Sequence, residues 1–231
     1  MVEHDLVDVW FTRAPISDQC PGGCLDDGER AVAGRRRSGD REVYVAAHVL
    51  LRHVLADQVG ATPDALTFSQ DSLGRPYLAG YPAIDFSLSH THGLATLAIV
   101  RGHRVGIDIE AGRLMDSRVV APAVLTLAEH NQLDGEPPAV RRRRIIEAWV
   151  MKEAFLKATG EGLRIDPRLV DTTRSQYGRI HRTDGRGPDA WSVHLLKAAH
   201  GIAVALVCDI TSPTIVQHPE FHGHIRVGSL A

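Results

Sequence analysis

The sequence predicts an α+β chain built as two similar halves. Three observations carry that expectation. Two long helical stretches, 41–59 and 141–159, each stop at a glycine, Gly60 and Gly160, and each precedes a set of strand-like runs. The tetrapeptides His92-Gly93-Leu94-Ala95 and His200-Gly201-Ile202-Ala203 both open apolar runs, an internal echo. The composition, 44 % apolar and 23 % charged over 231 residues, is that of a globular chain long enough to bury a substantial core.

The elements follow in order. Residues 5–12 (DLVDVWFT) predict a strand, and 17–29 a loop rich in Gly, Asp and Cys. In the 41–59 helix, Val45, Val49, Arg52 and Ala56 share one side. A short strand at 66–68 precedes a turn-rich segment, DSLGRPYLAGYP. FSLSH (86–90), LATLAIV (94–100) and VGIDIE (105–110) predict three strands joined by HTHG and RGH turns. AVLTLAEHNQL (123–133) predicts a short helix. WSVHLL (191–196) and GIAVALVCDI (201–210) predict strands, and the last twenty residues a loosely held, turn-rich tail.

Charge and termini exclude several classes. A formal net charge of −2 is far from the strongly basic balance of a general nucleic-acid binder. No apolar run approaches the roughly 18 residues of a membrane span. The amino terminus lacks a basic stretch leading into an apolar one, so the expected location is the cytoplasm. Cys20, Cys24 and Cys208 are too few for a disulfide scaffold, and the first two read as loop thiols.

Four motifs carry chemistry. In VGIDIE, alternate strand residues face one way, so Asp108 and Glu110 lie on one side, rooted about 6.6 Å apart. Two adjacent carboxylates repel unless a cation sits between them, and Mg²⁺ suits oxygen donors; an edge strand with a solvated acidic face is the plainer alternative. In EAWVMKEAFLKATGEGL, Trp149, Glu153 and Lys157 share a helix face. Glu153 could add a third carboxylate or act as a general base, and Lys157 could meet a phosphate. A surface Glu–Lys pair is the alternative. It is weakened because the only lysines are Lys152, Lys157 and Lys197 in a chain where arginine supplies the rest of the 26 basic residues. In FSLSHTHG, His90 ends a strand where an anion could reach it. In GRPYL, a Gly74-Arg75-Pro76 turn could present Arg75 to phosphate oxygens. The basic runs GRRRSGDR (34–41) and VRRRRII (140–146) are solvated faces or patches for an acidic partner. His218, His222 and His224 read as a surface tail more readily than as a metal site. Carboxylates, scattered cations and a candidate base form the parts list of phosphoryl-group transfer. No Walker or Rossmann glycine motif is present.

In this order and spacing, GRPYL, FSLSH, VGIDIE and WVMKEAFLKATGEGL resemble the 4′-phosphopantetheinyl transferases, in the longer monomeric class that activates peptide and polyketide synthases. The resemblance runs from about Glu29 to about Asp166. It implies two α+β halves related by a pseudo-two-fold, 1–111 and 112–231, with the active site between them, the catalytic helix at 141–160 and the tail at 212–231. It also implies transfer of the phosphopantetheine arm of coenzyme A to a serine of an apo acyl or peptidyl carrier protein, releasing adenosine 3′,5′-bisphosphate. Carried over by motif, Asp108, Glu110 and Glu153 would hold Mg²⁺, with Mn²⁺ as a substitute. Glu153 would take the serine proton and Lys157 would stabilise the pyrophosphate. Arg75 and His90 would hold coenzyme A phosphates, with Gly74, Pro76 and Ser89 around the adenine end. Arginines of the 35–41 stretch, Arg41 among them, would meet the 3′-phosphate. Trp149 and Lys152 would support the helix. The resemblance implies a cytoplasmic monomer with no nucleic-acid or membrane partner. Val150 departs from the Ser or Thr usual after the tryptophan. A non-catalytic module binding coenzyme A or a carrier protein is the competing expectation. It would keep Arg75 and His90 without needing three carboxylates.

Overall fold

The computed structural model describes residues 5–15, 23–112, 117–186 and 191–222. Strand β1 (Leu6–Arg13) leads to helices α1 (Asp27–Gly34) and α2 (Ser38–Val59). A small hairpin, β2 (Phe68–Gln70) and β3 (Pro76–Leu78), precedes β4 (Ile84–Thr91), β5 (Leu94–Arg101) and β6 (Val105–Ala111). Helices α3 (Ser117–Val124), α4 (Leu127–Asn131) and α5 (Pro138–Thr159) follow. Then come β7 (Val170–Asp171), β8 (Arg179–Arg182), β9 (Trp191–Leu195), β10 (Ile202–Cys208) and β11 (Thr214–Gln217). The expected α+β class holds.

Two sheets stack with one long helix on each outer face. The first has strand order β11-β1-β5-β4 and the second β6-β10-β9-β8-β7. Alternation along β5 explains the layering. Leu97 and Ile99 face α2, where they meet Leu50, Val54 and Leu55. Ala98 and Val100 face the other way and pack with Val7, Val9, Ile107, Ile109 and Leu206 between the sheets. Helix α5 covers the second sheet through Val150, Phe155 and Ala158 against Trp191, Val193 and Val207. Both long helices end where the chain turns left-handed, at Gly60 (φ +67°) and Gly160 (φ +78°). Among the described residues, no helix is long and apolar enough to cross a membrane.

The tetrapeptide echo marks equivalent turns. Gly93 (φ +69°) and Gly201 (φ +80°) each precede a strand start. Their carbonyls accept from the amides of Ala14 and Gly112 respectively, both at 2.9 Å.

Several expectations need amending. Two strands cross the expected division at 111/112: β6 pairs with β10 in the second sheet, and β11 runs parallel to β1 in the first. Residues 214–222 are therefore built in rather than a loose tail, and the rest of the expected tail lies outside the described residues. His218 stacks on Trp10 at 3.8 Å and pairs with Asp8 at 2.6 Å, and Phe221 is buried in the α2 core. His224 and Cys20 lie outside the described residues. Cys24 lies in the loop before α1, as expected, and is buried in that core. The expected 17–29 loop gives way to α1 at Asp27, because Asp26 and Glu29 form a capping box. The expected 123–133 helix splits at Thr126, which caps α4 in a second box with Glu129.

Candidate active site

The two sheets meet along a side-chain ladder. On β4, Ile84 and Phe86 point into the α2 core, so the alternate residues Asp85, Ser87, Ser89 and Thr91 point at β6. Asp85 Oδ2 accepts from the Val105 amide at 2.8 Å and Ser87 Oγ from the Ile107 amide at 3.0 Å. Ser89 Oγ donates to Asp108 Oδ1 at 2.7 Å. Thr91 Oγ1 donates to Glu110 Oε1 at 2.9 Å and accepts from the Ala111 amide at 3.2 Å. Short polar side chains here replace the backbone ladder of a continuous sheet. They also fix both carboxylates.

Helix α5 lies over the same face of β6, and Gly106 sets how close. A Cβ there would stand 1.9 Å from the Ala154 carbonyl oxygen and 2.5 Å from the Ala158 nitrogen. That approach lays Glu153 and Lys157 over the strand. Lys157 Nζ donates to Asp108 Oδ1 at 2.7 Å and to the Ile107 carbonyl at 3.2 Å. Glu153 Oε1 is buried without a partner. Burial, and then the nearby Asp108 charge, raise the Glu153 pKa above its ordinary value, with Lys157 opposing them. This is a carboxyl group poised to hold a proton or to meet a cation.

His90 is the penultimate residue of β4, exposed beside this cluster. Desolvation lowers its pKa, and so do the charges of Arg36, Lys157 and His48, against a weaker opposing pull from Asp40. A field that disfavours another positive charge is one that favours an anion. Arg36 lies over the Tyr44 ring at 4.5 Å.

The other predicted residues are placed as follows. Gly74 (φ +87°) closes the turn in which Asp71 Oδ1 accepts from the amides of Leu73 and Arg75. Arg75 is turned inward and only 9 % exposed. Its Nη2 donates to Asp85 at 2.6 Å, Val105 O at 2.8 Å and Phe86 O at 3.3 Å, leaving Nε without a partner. Pro76 is exposed at the start of β3, and Arg41 is exposed on the first turns of α2. Asp108, Ser89, Glu153 and Lys157 are brought together. Glu110 stands one pleat along, engaged with Thr91. Among the described residues, no group of three acidic, His or Cys side chains is already gathered tightly enough to hold a metal.

Lys152 supports the helix from its other side. Fully buried, it donates to Glu129 at 2.6 Å and to the Val124 carbonyl at 2.7 Å, tying α5 to α4. Glu129 is also held by Thr172. The motif reading missed Gly106, Thr91, Tyr44 and His48. Gly106 was readable in principle, since a glycine inside an apolar strand marks close backbone approach.

Comparison with known proteins agrees with the motifs. Residues 104–207 match the family model described as the 4′-phosphopantetheinyl transferase superfamily. The 4′-phosphopantetheinyl transferase psf-1 of Bacillus pumilus is 27 % identical over 195 residues, 83 % of this chain and 81 % of that one. The 4′-phosphopantetheinyl transferase HetI of a Nostoc strain is 32 % identical over 127 residues, 53 % of this chain and 54 % of that one. A 4′-phosphopantetheinyl transferase of Bacillus subtilis is 26 % identical over 169 residues, covering 68 % and 74 %. The resemblance drawn from the motifs holds, and the relatives are transferase enzymes.

Proposed function

We propose that this homologue of the 4′-phosphopantetheinyl transferases moves the phosphopantetheine arm of coenzyme A onto a serine of an apo acyl or peptidyl carrier protein, as a cytoplasmic monomer. One observation carries the reading. Lys157 and Glu153, whose Oε1 is buried without a partner, share the α5 face laid over Asp108, beside the cation-rich surface at His90.

A divalent cation fits the donor set. Asp108 and Glu153 offer hard oxygen donors, one of them buried with no partner, and Glu110 stands next along the strand. These three residues would hold Mg²⁺, or Mn²⁺ in its place, and the bound ion would neutralise charge on the diphosphate. The side chains do the rest. His90 and Lys157 bind the diphosphate, and Lys157 meets the charge that builds up as it is cleaved. Glu153, whose raised pKa makes its ionised carboxylate a stronger base, accepts the proton of the carrier serine. The serine oxygen forms a bond to the β-phosphorus as the bond to the bridging oxygen breaks. Adenosine 3′,5′-bisphosphate leaves with that electron pair. Gly74 and Pro76 border the adenine end, whereas Ser89, expected there too, is bonded to Asp108 at the diphosphate end. Arg75, held inward by Asp85 with its Nε buried, shapes the floor rather than meeting a phosphate; arginines of 35–41, Arg41 included, face the 3′-phosphate.

The test is intact mass spectrometry of an apo carrier domain incubated with the protein, coenzyme A and Mg²⁺, beside an EDTA control. The expected result is a metal-dependent gain of one phosphopantetheine. No gain across fatty-acid, polyketide and peptide carriers would overturn the transferase reading. Retained coenzyme A binding would then identify a binding module.

A further inference from the structure

The two strand carboxylates of the candidate metal site are held alike, each through one oxygen. On Asp108 the Ser89 hydroxyl and the Lys157 ammonium both donate to Oδ1, each at 2.7 Å. On Glu110 the Thr91 hydroxyl and the Ala111 amide both donate to Oε1, each at 2.9 Å. Thr91 is buried, and its hydroxyl oxygen also accepts from the Ala111 amide at 3.2 Å. That contact leaves the hydroxyl proton to Glu110, because an amide N–H cannot receive it. The backbone beyond is fixed as well. Arg142 Nη2 donates to the Gly112 carbonyl, and the Gly112 amide donates to the Gly201 carbonyl, both at 2.9 Å.

The Thr91 hydroxyl limits what Glu110 can offer a cation. A carboxylate oxygen has about two lone-pair sites, and two donors fill those of Oε1. Among the described residues, Oε2 is then the oxygen left for a metal, so Glu110 is restricted to a single metal bond. Mg²⁺ suits that restriction. It demands near-ideal octahedral geometry at about 2.0–2.1 Å and keeps several waters, so single, fixed oxygens serve it. Ca²⁺ takes about 6–8 oxygens at longer distances in flexible geometry, and it readily takes both oxygens of one carboxylate. Without the Thr91 hydroxyl, Oε1 keeps only the Ala111 amide and regains a lone pair. Glu110 could then close on a larger ion with both oxygens.

We propose that Thr91 is a positioning residue that sets metal specificity: by engaging Glu110 Oε1 it confines this carboxylate to one metal bond and favours Mg²⁺ over Ca²⁺. The inference rests on Asp108, Glu110 and Glu153 being the metal ligands.

The test uses Thr91→Val, which keeps the branched shape without the hydroxyl, and Thr91→Ser, which keeps the hydroxyl. Mg²⁺ and Ca²⁺ are each titrated by calorimetry into the protein with coenzyme A and no carrier, so that no turnover occurs, and circular dichroism checks folding. In Thr91→Val the Mg²⁺ affinity is expected to fall about tenfold or more, as when other partners of metal ligands are lost. The Ca²⁺ affinity should fall less, shifting the ratio of the two toward Ca²⁺ by about tenfold. In transfer assays the KM for Mg²⁺ should rise about tenfold, with kcat at saturating Mg²⁺ within about twofold of wild type. Thr91→Ser should keep the wild-type values. Thr91→Ala makes the same comparison should the valine variant fail to fold. An unchanged ion preference in a folded variant lacking the hydroxyl overturns the proposal, as does a Thr91→Ser protein that shifts as far as Thr91→Val. If the wild type binds neither ion, the metal-ligand reading itself falls, and this inference with it.

Discussion

Glu153 shows how one residue is set for function at the expense of stability. Its carboxyl is buried, lacks a hydrogen bond at Oε1 and feels the charge of Asp108, so its pKa stands above the ordinary 4.5. The folded state therefore holds this proton more tightly than the unfolded chain. The unfolded state loses it first as pH rises through 4.5, and from there to the folded-state value stability declines. Glu153→Gln removes that penalty and the base together. Transfer should fall by about 10²-fold or more. The melting temperature at pH 8 should exceed that of wild type, with the gap closing near pH 4.5. A variant that keeps full transfer would remove Glu153 from the mechanism. A Tm difference independent of pH would contradict the electrostatic account. Much at this scale was legible. Strand alternation put Asp108 and Glu110 on one side, and the scarcity of lysine singled out Lys152 and Lys157. Arg75 was not, because a guanidinium at a turn can reach outward or fold back, and the acceptor that draws it inward, Asp85, sits ten residues on.

Between elements, the site depends on how closely α5 approaches β6. Gly106 permits that approach: a methyl group there would overlap the helix backbone, which cannot move as a side-chain tip could. Gly106→Ala should push α5 away from the strand, parting Lys157 from Asp108. The expected cost is about 1–3 kcal/mol in stability by chemical denaturation, from overpacking. Transfer should drop more than the folded fraction does, since a displacement on the order of 1 Å at a positioned site can cost about 10²-fold. A Gly106→Ala protein with wild-type kcat would show that the helix position is not critical. On the far side of α5, Lys152 should behave differently. Lys152→Ala strands the buried Glu129 carboxylate and should cost about 3–5 kcal/mol, read from the urea midpoint. Any protein that still folds should keep its KM for coenzyme A. The helix and the three strands β4, β5 and β6 could be read from periodicity. The ladder of Asp85, Ser87, Ser89 and Thr91 could not: small polar residues on alternate positions look the same whether they face water or another strand.

In the molecule as a whole, the halves do not close on themselves. β6 belongs by sequence to the first half and by hydrogen bonding to the second sheet, while β11 makes the reverse exchange. A linear reading misses such exchanges, because strand partners far apart leave no local signal; Leu6 pairs with Thr214. The terminal segment is also stitched side chain by side chain. Phe221 N donates to Phe11 O at 2.8 Å, Thr12 Oγ1 donates to Phe221 O at 2.9 Å, and His218 covers Trp10. Deleting residues 213–231 should therefore destabilise the amino-terminal sheet, which it leaves intact in sequence. Loss of the buried Phe221 ring alone is worth about 3–5 kcal/mol, and β1 would become an unprotected edge prone to association. The checks are a lower urea midpoint, increased amide exchange along β1, and a shift in Trp10 fluorescence as the stacked imidazole is lost. His218→Ala should reproduce the fluorescence change with a much smaller loss of stability. Unchanged exchange along β1 after the deletion would mean that the first sheet stands without its carboxyl-terminal strand. The exchange of strands would then carry no stabilising role, and the seam that holds Asp108 against Ser89 would depend on β4 and β6 alone.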